Sequence, residues 1–152
     1  MKKVVVGAGL LVLSAAMLVK AERKGKEPLR VVSSVDLPRY AGLWYEVARL
    51  PNRFEEKCAG DVTAEYTPKD GDRLKVRFAP GFLSFVPFVW GDYQIVELAP
   101  DYSYAVVGAP DRKHLWLLSR TPQMDEGTYQ KLAGAARAQG FDVSKLIRTK
   151  QG

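Results

Sequence analysis

From Val35 onward, apolar residues recur at every second position or in short runs, and Gly, Pro and Asp interrupt them at intervals. That pattern predicts successive antiparallel strands near 42–50, 61–67, 73–79, 89–98, 102–109 and 113–120. The turn chemistry agrees, with Pro68-Lys69-Asp70-Gly71 between the second and third strands and Ala109-Pro110-Asp111-Arg112 between the fifth and sixth. After Thr121-Pro122 the period changes. A helix is predicted over about 124–139, with Asp125 as its cap, Leu132, Ala135 and Ala136 on one face, and Gly140 as its stop. Phe141 to Ile147 reads as a short extended tail. The fold class is therefore all-β with one C-terminal helix: a meander whose sheet closes on itself as an up-and-down barrel and is sealed by the helix. Closure would also remove exposed strand edges.

The first thirty residues follow a different pattern. Lys2 and Lys3 precede the uncharged, mostly apolar run 4–19, which Lys20 ends. As a helix it would span about 24 Å, short for a hydrocarbon core of about 30 Å but suited to a signal sequence. Val19-Lys20-Ala21 puts a charge inside the small-residue pattern of a cleavage site, so residues 1–21 read either as a cleaved signal or as an uncleaved anchor. No Cys follows the run to take a lipid. Residues 22–34 read as a linker and 35–152 as the single folded domain. Lys20, Arg23, Lys24, Lys26 and Arg30 outnumber Lys2 and Lys3, which by the positive-inside rule favours a cytoplasm-facing body and leaves orientation open against export to the cell envelope.

Charge sharpens this division. The formal net charge is +6 over 152 residues, but residues 1–30 hold seven basic side chains against Glu22 and Glu27, leaving the body near neutral. A near-neutral body lacks the basic footprint of a nucleic-acid binder, and the collar points to a membrane instead. The single Cys, Cys58, excludes an intrachain disulfide and thiolate metal sites, and the single His, His114, excludes multi-His zinc sites. His114 sits at the start of a strand, where a structural role is expected. No nucleophile elbow, Gly-rich phosphate loop or metal-ligand spacing is present, and no cofactor is implied.

An ordered set of motifs runs through the body. Val35-Asp36-Leu37-Pro38-Arg39-Tyr40-Ala41-Gly42-Leu43-Trp44-Tyr45-Glu46 combines a short helical turn with a G-x-W strand. It is followed by Arg49-Leu50-Pro51-Asn52-Arg53-Phe54-Glu55, then Asp101-Tyr102-Ser103-Tyr104, then Leu117-Leu118-Ser119-Arg120-Thr121-Pro122. The set resembles the lipocalins, in particular the bacterial outer-membrane and apolipoprotein D-like group, over about residues 35–149. The resemblance implies a barrel closed at one end by Trp44, with Arg120 across its ring and Gly42 at the strand start as a structural latch. A guanidinium over an indole is worth about 0.5–2 kcal/mol, and its five donors can also hold carbonyls of the N-terminal turn.

Alternation on the first strand puts Glu46, Ala48 and Leu50 on Trp44's face and Tyr45, Val47 and Arg49 outward. On the last strand Trp116 and Leu118 share the parity of Arg120, and Leu115 and Leu117 pack under the helix. Glu46, Ala48, Trp90, Tyr104, Trp116 and Leu118 are the candidate ligand contacts. An apolar interior with few polar anchors suits a fatty acid or lysophospholipid, the ligands that the resemblance implies; alternatively the same side chains simply fill a core. The Pro-rich, aromatic stretch 79–90 belongs at the barrel mouth, either as a membrane or partner contact or as packing over the end.

The resemblance breaks at one place. A lipocalin barrel has eight strands and only six precede the helix here; the gap falls near 70–78, which reads like the start of the family's third strand joined to the end of its fifth. In relatives the Cys matching Cys58 can pair with one on the third strand, and no such partner exists here. Losing two strands narrows the barrel or leaves it incompletely closed. Open edges beside 61–67 and 73–79, or a Cys58 bridge, would then permit a homodimer. The leading function is binding, storage or transport of small hydrophobic ligands in the cell envelope. The alternative is a membrane-anchored barrel remnant without a pocket, acting through protein or membrane contacts. Catalysis is not expected.

Overall fold

The computed structural model of the protein describes residues 27–53, 55–56, 60–69, 73–79 and 93–152. The leader, Cys58, Trp90 and nearly all of the Pro-rich stretch lie outside the described residues. A helical turn, α1 (Leu37–Tyr40), leads into β1 (Gly42–Arg49), β2 (Thr63–Lys69), β3 (Arg73–Ala79), β4 (Gln94–Leu98), β5 (Tyr104–Gly108) and β6 (Leu115–Ser119). The helix α2 (Glu126–Ala138), a 3-10 turn (Val143–Lys145) and a two-residue strand, β7 (Ile147–Arg148), complete the chain. Among the described residues no helix is long and apolar enough to cross a membrane.

Local chemistry accounts for the ends of these elements. Asp36 caps α1 by accepting from the Arg39 amide at 3.2 Å, and Asp125 caps α2 by accepting from the Thr128 amide at 2.8 Å. Gly140, at φ +92°, lets the chain leave α2 through the left-handed region. The β5–β6 turn closes where expected, with the Arg112 amide donating to the Ala109 carbonyl at 2.9 Å. Pro68 is not a turn residue. It lies within β2 opposite Leu74, past the last β1 partner at Tyr66, so its missing N–H interrupts no ladder on that side.

The sheet is antiparallel throughout, in the order β3-β2-β1-β6-β5-β4, and curls into a half-barrel. Among the described residues β3 and β4 do not pair with each other, as six strands in place of eight would leave it. β2 stops pairing with β1 at Tyr45↔Thr63, and β7 takes the vacated edge through Ala48↔Arg148 and Arg49↔Ile147. The stretch 29–32, read from sequence as linker, lies against the body. Leu29 is buried in the core, the Val32 amide donates to the Ile95 carbonyl at 3.1 Å along β4, and Gln139 bonds both backbone groups of Arg30.

Each face of the sheet carries its own core. On the convex side α2 buries Tyr129, Leu132, Ala133 and Ala136 against Leu115, Leu117, Val106, Ala48 and Leu50. That is one helical face at i, i+3, i+4 and i+7; Ala135, expected on it, is only half-buried. On the concave side Trp44, Tyr40, Ala105, Val107, Trp116 and Leu118 form the second cluster, with Tyr66, Leu74, Tyr93, Ile95 and Leu98 packed against it.

Candidate functional site

One end of the half-barrel is closed by a latch. The Arg120 guanidinium lies 3.9 Å from the centre of the Trp44 ring and donates to the carbonyls of Leu43 (2.9 Å), Arg39 (2.7 Å) and Tyr40 (3.0 Å). The Trp44 indole N–H donates to the Tyr40 carbonyl at 2.8 Å. Gly42 has φ +100°, a left-handed conformation that favours glycine, while a Cβ there would meet only Arg120 Nη1, at an ordinary contact distance of 3.4 Å. Burial pushes the Tyr66 phenol up to about 12 and raises Tyr40 well above its ordinary value, so both phenols stay neutral beside Arg120.

Midway along β1 the alternation reverses. Glu46 pairs with Leu118 but Ala48 pairs with Leu117, so Val47 is an extra residue in a β-bulge. Trp44 and Glu46 face the concave side. Beyond the bulge Arg49 joins them opposite Trp116, whereas Ala48 and Leu50 turn to the helix side. Strict period two therefore misplaces three residues: Ala48 and Leu50 belong to the convex core, and Arg49 points inward and is 6% exposed. Tyr104 is also on the helix side, its ring packed against that core and its hydroxyl 3.2 Å from the Lys131 ammonium. Ala48 and Tyr104 thus leave the concave lining; Glu46, Trp116 and Leu118 remain in it.

The bulge assembles a buried polar cluster at the end opposite the latch. Arg49 Nη1 is 2.7 Å from Glu46 Oε1, Arg49 Nε is 3.3 Å from Glu55 Oε2, and Arg49 Nη2 donates to the Glu55 carbonyl at 3.0 Å. Glu55 Oε1 accepts from the Trp116 indole at 2.8 Å and from Asn52 at 3.3 Å. The Thr149 hydroxyl donates to Glu46 Oε1. Glu46 and Glu55 are 1% and 2% exposed, and Oε2 of each has no hydrogen-bond partner. Desolvation first, and then the adjoining Glu55 carboxyl, push the Glu46 acid far above the usual carboxylate range. A proton held on Glu46 lowers the charge that this buried cluster must carry, and Arg49 bridges the two carboxyls.

Aromatic rings continue from this cluster. Trp116 packs edge-on against Tyr93 at 5.0 Å and stacks with His114 at 5.9 Å. Of the expected contacts, Trp90 lies outside the described residues. Sequence reasoning missed Arg49, Glu55, Tyr93 and Thr149. Glu55 and Arg49 stand within the stretch 49–55 that carried the family resemblance, but their inward direction depends on the bulge and the loop. Thr149 is brought in by the tail.

A lipocalin-like domain model matches residues 35–73 and 67–151, two stretches that meet at the β2–β3 turn where the strand count falls short. The chain is 38% identical to temperature-induced lipocalin-1 of Arabidopsis thaliana, over 83% of this chain and 84% of that protein. It is 35% identical to the outer membrane lipoprotein Blc of Escherichia coli K12, over 91% and 93% respectively. The plant alignment spans 158 positions against the 152 residues of the whole chain, so it opens gaps here. Among solved structures, insecticyanin from the tobacco hornworm Manduca sexta aligns with a TM-score of 0.55 at 22% identity, over 83% of this chain and 86% of that one, a likeness of fold. Lipocalins bind small hydrophobic ligands and are generally binding proteins rather than enzymes. With the family match spanning the body and two relatives above 30% identity, the chain belongs to the lipocalin family.

Proposed function

We propose that this protein binds small apolar ligands with one polar end, fatty acids or lysophospholipids, and stores or carries them in the cell envelope. The observation that carries the reading is the concave face: aromatic and aliphatic side chains from Trp44 to Trp116, with a buried polar cluster at the end away from the latch. An acyl chain would lie along the apolar stretch, and its polar end would meet Arg49, Glu46 and the Trp116–Glu55 pair. The outer-membrane relative at 35% identity supports the envelope location. Glu46, Trp116 and Leu118 are proposed contacts; Trp90 joins them as a proposal from sequence alone.

A second reading has its own support. Trp44, Ala105 and Leu118 are almost wholly buried by the chain itself, and among the described residues the sheet ends in two strands that do not pair with each other. A body packed in this way would act through contacts, including self-association at the β3 edge, rather than through ligand uptake. Titration of a fluorescent fatty acid into the chain from Glu27 onward, under reducing conditions, separates the two. Saturable binding that weakens when Trp116 is replaced by Ala supports the carrier. No uptake by a chain with sharp aromatic circular dichroism would sink it in favour of the contact reading.

A further inference from the structure

Basic side chains gather at the end of the half-barrel opposite the latch. There the β5–β6 turn, the C-terminal end of α2 and the incoming segment at 27–30 meet around a surface hollow of about 290 Å³. Arg30, Arg112 and Arg137 line it, and Lys113 stands exposed beside Arg112. Against them are Glu27 in the lining and Asp111 in the turn, so the face is positive. Arg112 is committed to the fold, donating to the carbonyls of Pro110 (2.6 Å), Gln139 (3.0 Å) and Glu27 (2.7 Å) and so tying turn, helix and incoming segment together. Arg30 and Arg137 are exposed, and neither guanidinium has a hydrogen bond or ion pair among the described residues.

The path of the chain gives this face a direction. The described residues begin at Glu27, in the hollow. Upstream in the sequence stand Lys26, Lys24, Arg23 and Lys20 against Glu22, and before them the apolar run 4–19. Six residues stand between Lys20 and Glu27, a reach of at most about 25 Å. The eight residues of β1 put the latch about 26 Å further off. An apolar run seated in a lipid layer would therefore hold the basic face within about 25 Å of the headgroups, with the latch at the far end of β1. Once within a Debye length of about 8–10 Å, positive charge is attracted by anionic lipid.

We propose that this face, with Arg30, Arg137 and Lys113 as its free cations, docks on an anionic lipid surface and turns the open end of the half-barrel toward the bilayer. The Glu46–Arg49–Glu55 cluster and the Trp116 stack belong to that same end. Direct ligand exchange with the lipid layer follows only on the carrier reading; the docking itself does not depend on it.

The test uses the full chain, with Cys58→Ser, reconstituted on vesicles and carrying a nitroxide at Ala138→Cys on the basic face or at Ser103→Cys on the latch end. Both positions are exposed. On vesicles of mixed phosphatidylglycerol and phosphatidylcholine at low salt, the label at 138 is expected to lose accessibility to a water-soluble nickel chelate several-fold relative to pure phosphatidylcholine, while the label at 103 is unchanged. Each charge removed near such a surface weakens the contact by about fivefold, so Arg30→Gln with Arg137→Gln should abolish the protection, with aromatic dichroism unaltered. Equal accessibility at 138 on both vesicles would overturn the proposal, as would protection of 103 instead. Shielding of 138 that grows with protein concentration without vesicles would assign the face to a second copy. A chain that takes up no fatty acid but passes this test keeps the docking face and loses the carrier role.

Discussion

Removing the Arg120 guanidinium takes away a cation over the Trp44 ring and three hydrogen bonds to Leu43, Arg39 and Tyr40 at once. Arg120→Ala is expected to cost about 2–3 kcal/mol of unfolding free energy, and Arg120→Lys most of that, because a point ammonium cannot serve three carbonyls in fork geometry. Urea unfolding of the two variants reads this directly; a Lys variant as stable as the parent would show that charge alone matters. Glu46 makes a prediction of a different kind. Its acid is pushed up to about 8 in the folded chain. A raised folded pKa means that the native state holds a proton the unfolded chain releases near the ordinary Glu value, so the stability is fully present below about 4.3 and is lost as pH rises through about 8. The urea midpoint should therefore fall between about pH 5 and pH 9 in the parent and flatten in Glu46→Gln, which keeps a neutral donor at the same place. A parent profile without that slope would mean that Glu46 does not hold a proton in the folded chain.

Among the elements, the C-terminal tail does more than the short extended tail that its sequence predicts. The Lys150 carbonyl accepts from the Asp61 amide at 2.8 Å, and the Gln151 amide group donates to the carbonyls of Glu46 and Val62, both at 2.8 Å, bridging β1 to the start of β2 where the two strands part. A Cβ at Gly60 would come within 2.5 Å of that Lys150 carbonyl, and a backbone atom cannot step aside as a side chain can. Gly60→Ala should destabilise by about 1–3 kcal/mol and speed amide exchange at Asp61. Asp125→Ala, by contrast, removes one cap and should cost about 1 kcal/mol, read by helical circular dichroism on heating. The α2 cap and its Gly140 stop were legible because capping is a local exchange between one side chain and the next turn. The bulge at Val47 was not legible: nothing in Glu46-Val47-Ala48 marks it, and it shows only in the pairing with β6, where Glu46 meets Leu118 and Ala48 meets Leu117.

For the molecule as a whole, a half-barrel makes a measurable statement about its edges. Amides of β1, β5 and β6, paired on both sides along most of their length, should exchange slowest; every second amide of β3, facing away from β2, should exchange fast. Uniform protection along β3 would mean that its outer edge is paired. The strands, their order and the helix over the convex face could be read from period, turn residues and family resemblance, because each reflects the preferences of neighbouring residues. Two missing strands were equally visible, since a deletion shortens the pattern itself. The tertiary structure alone decided which side chains share the interior. A single inserted residue on β1 sent Ala48 away from the concave face and Arg49 into it, and the loop after β1 and the C-terminal tail brought Glu55 to Arg49 and Thr149 to Glu46. Periodicity counts residues along one strand. The polar cluster is set by how three separate segments pack, and that is a property of the folded chain.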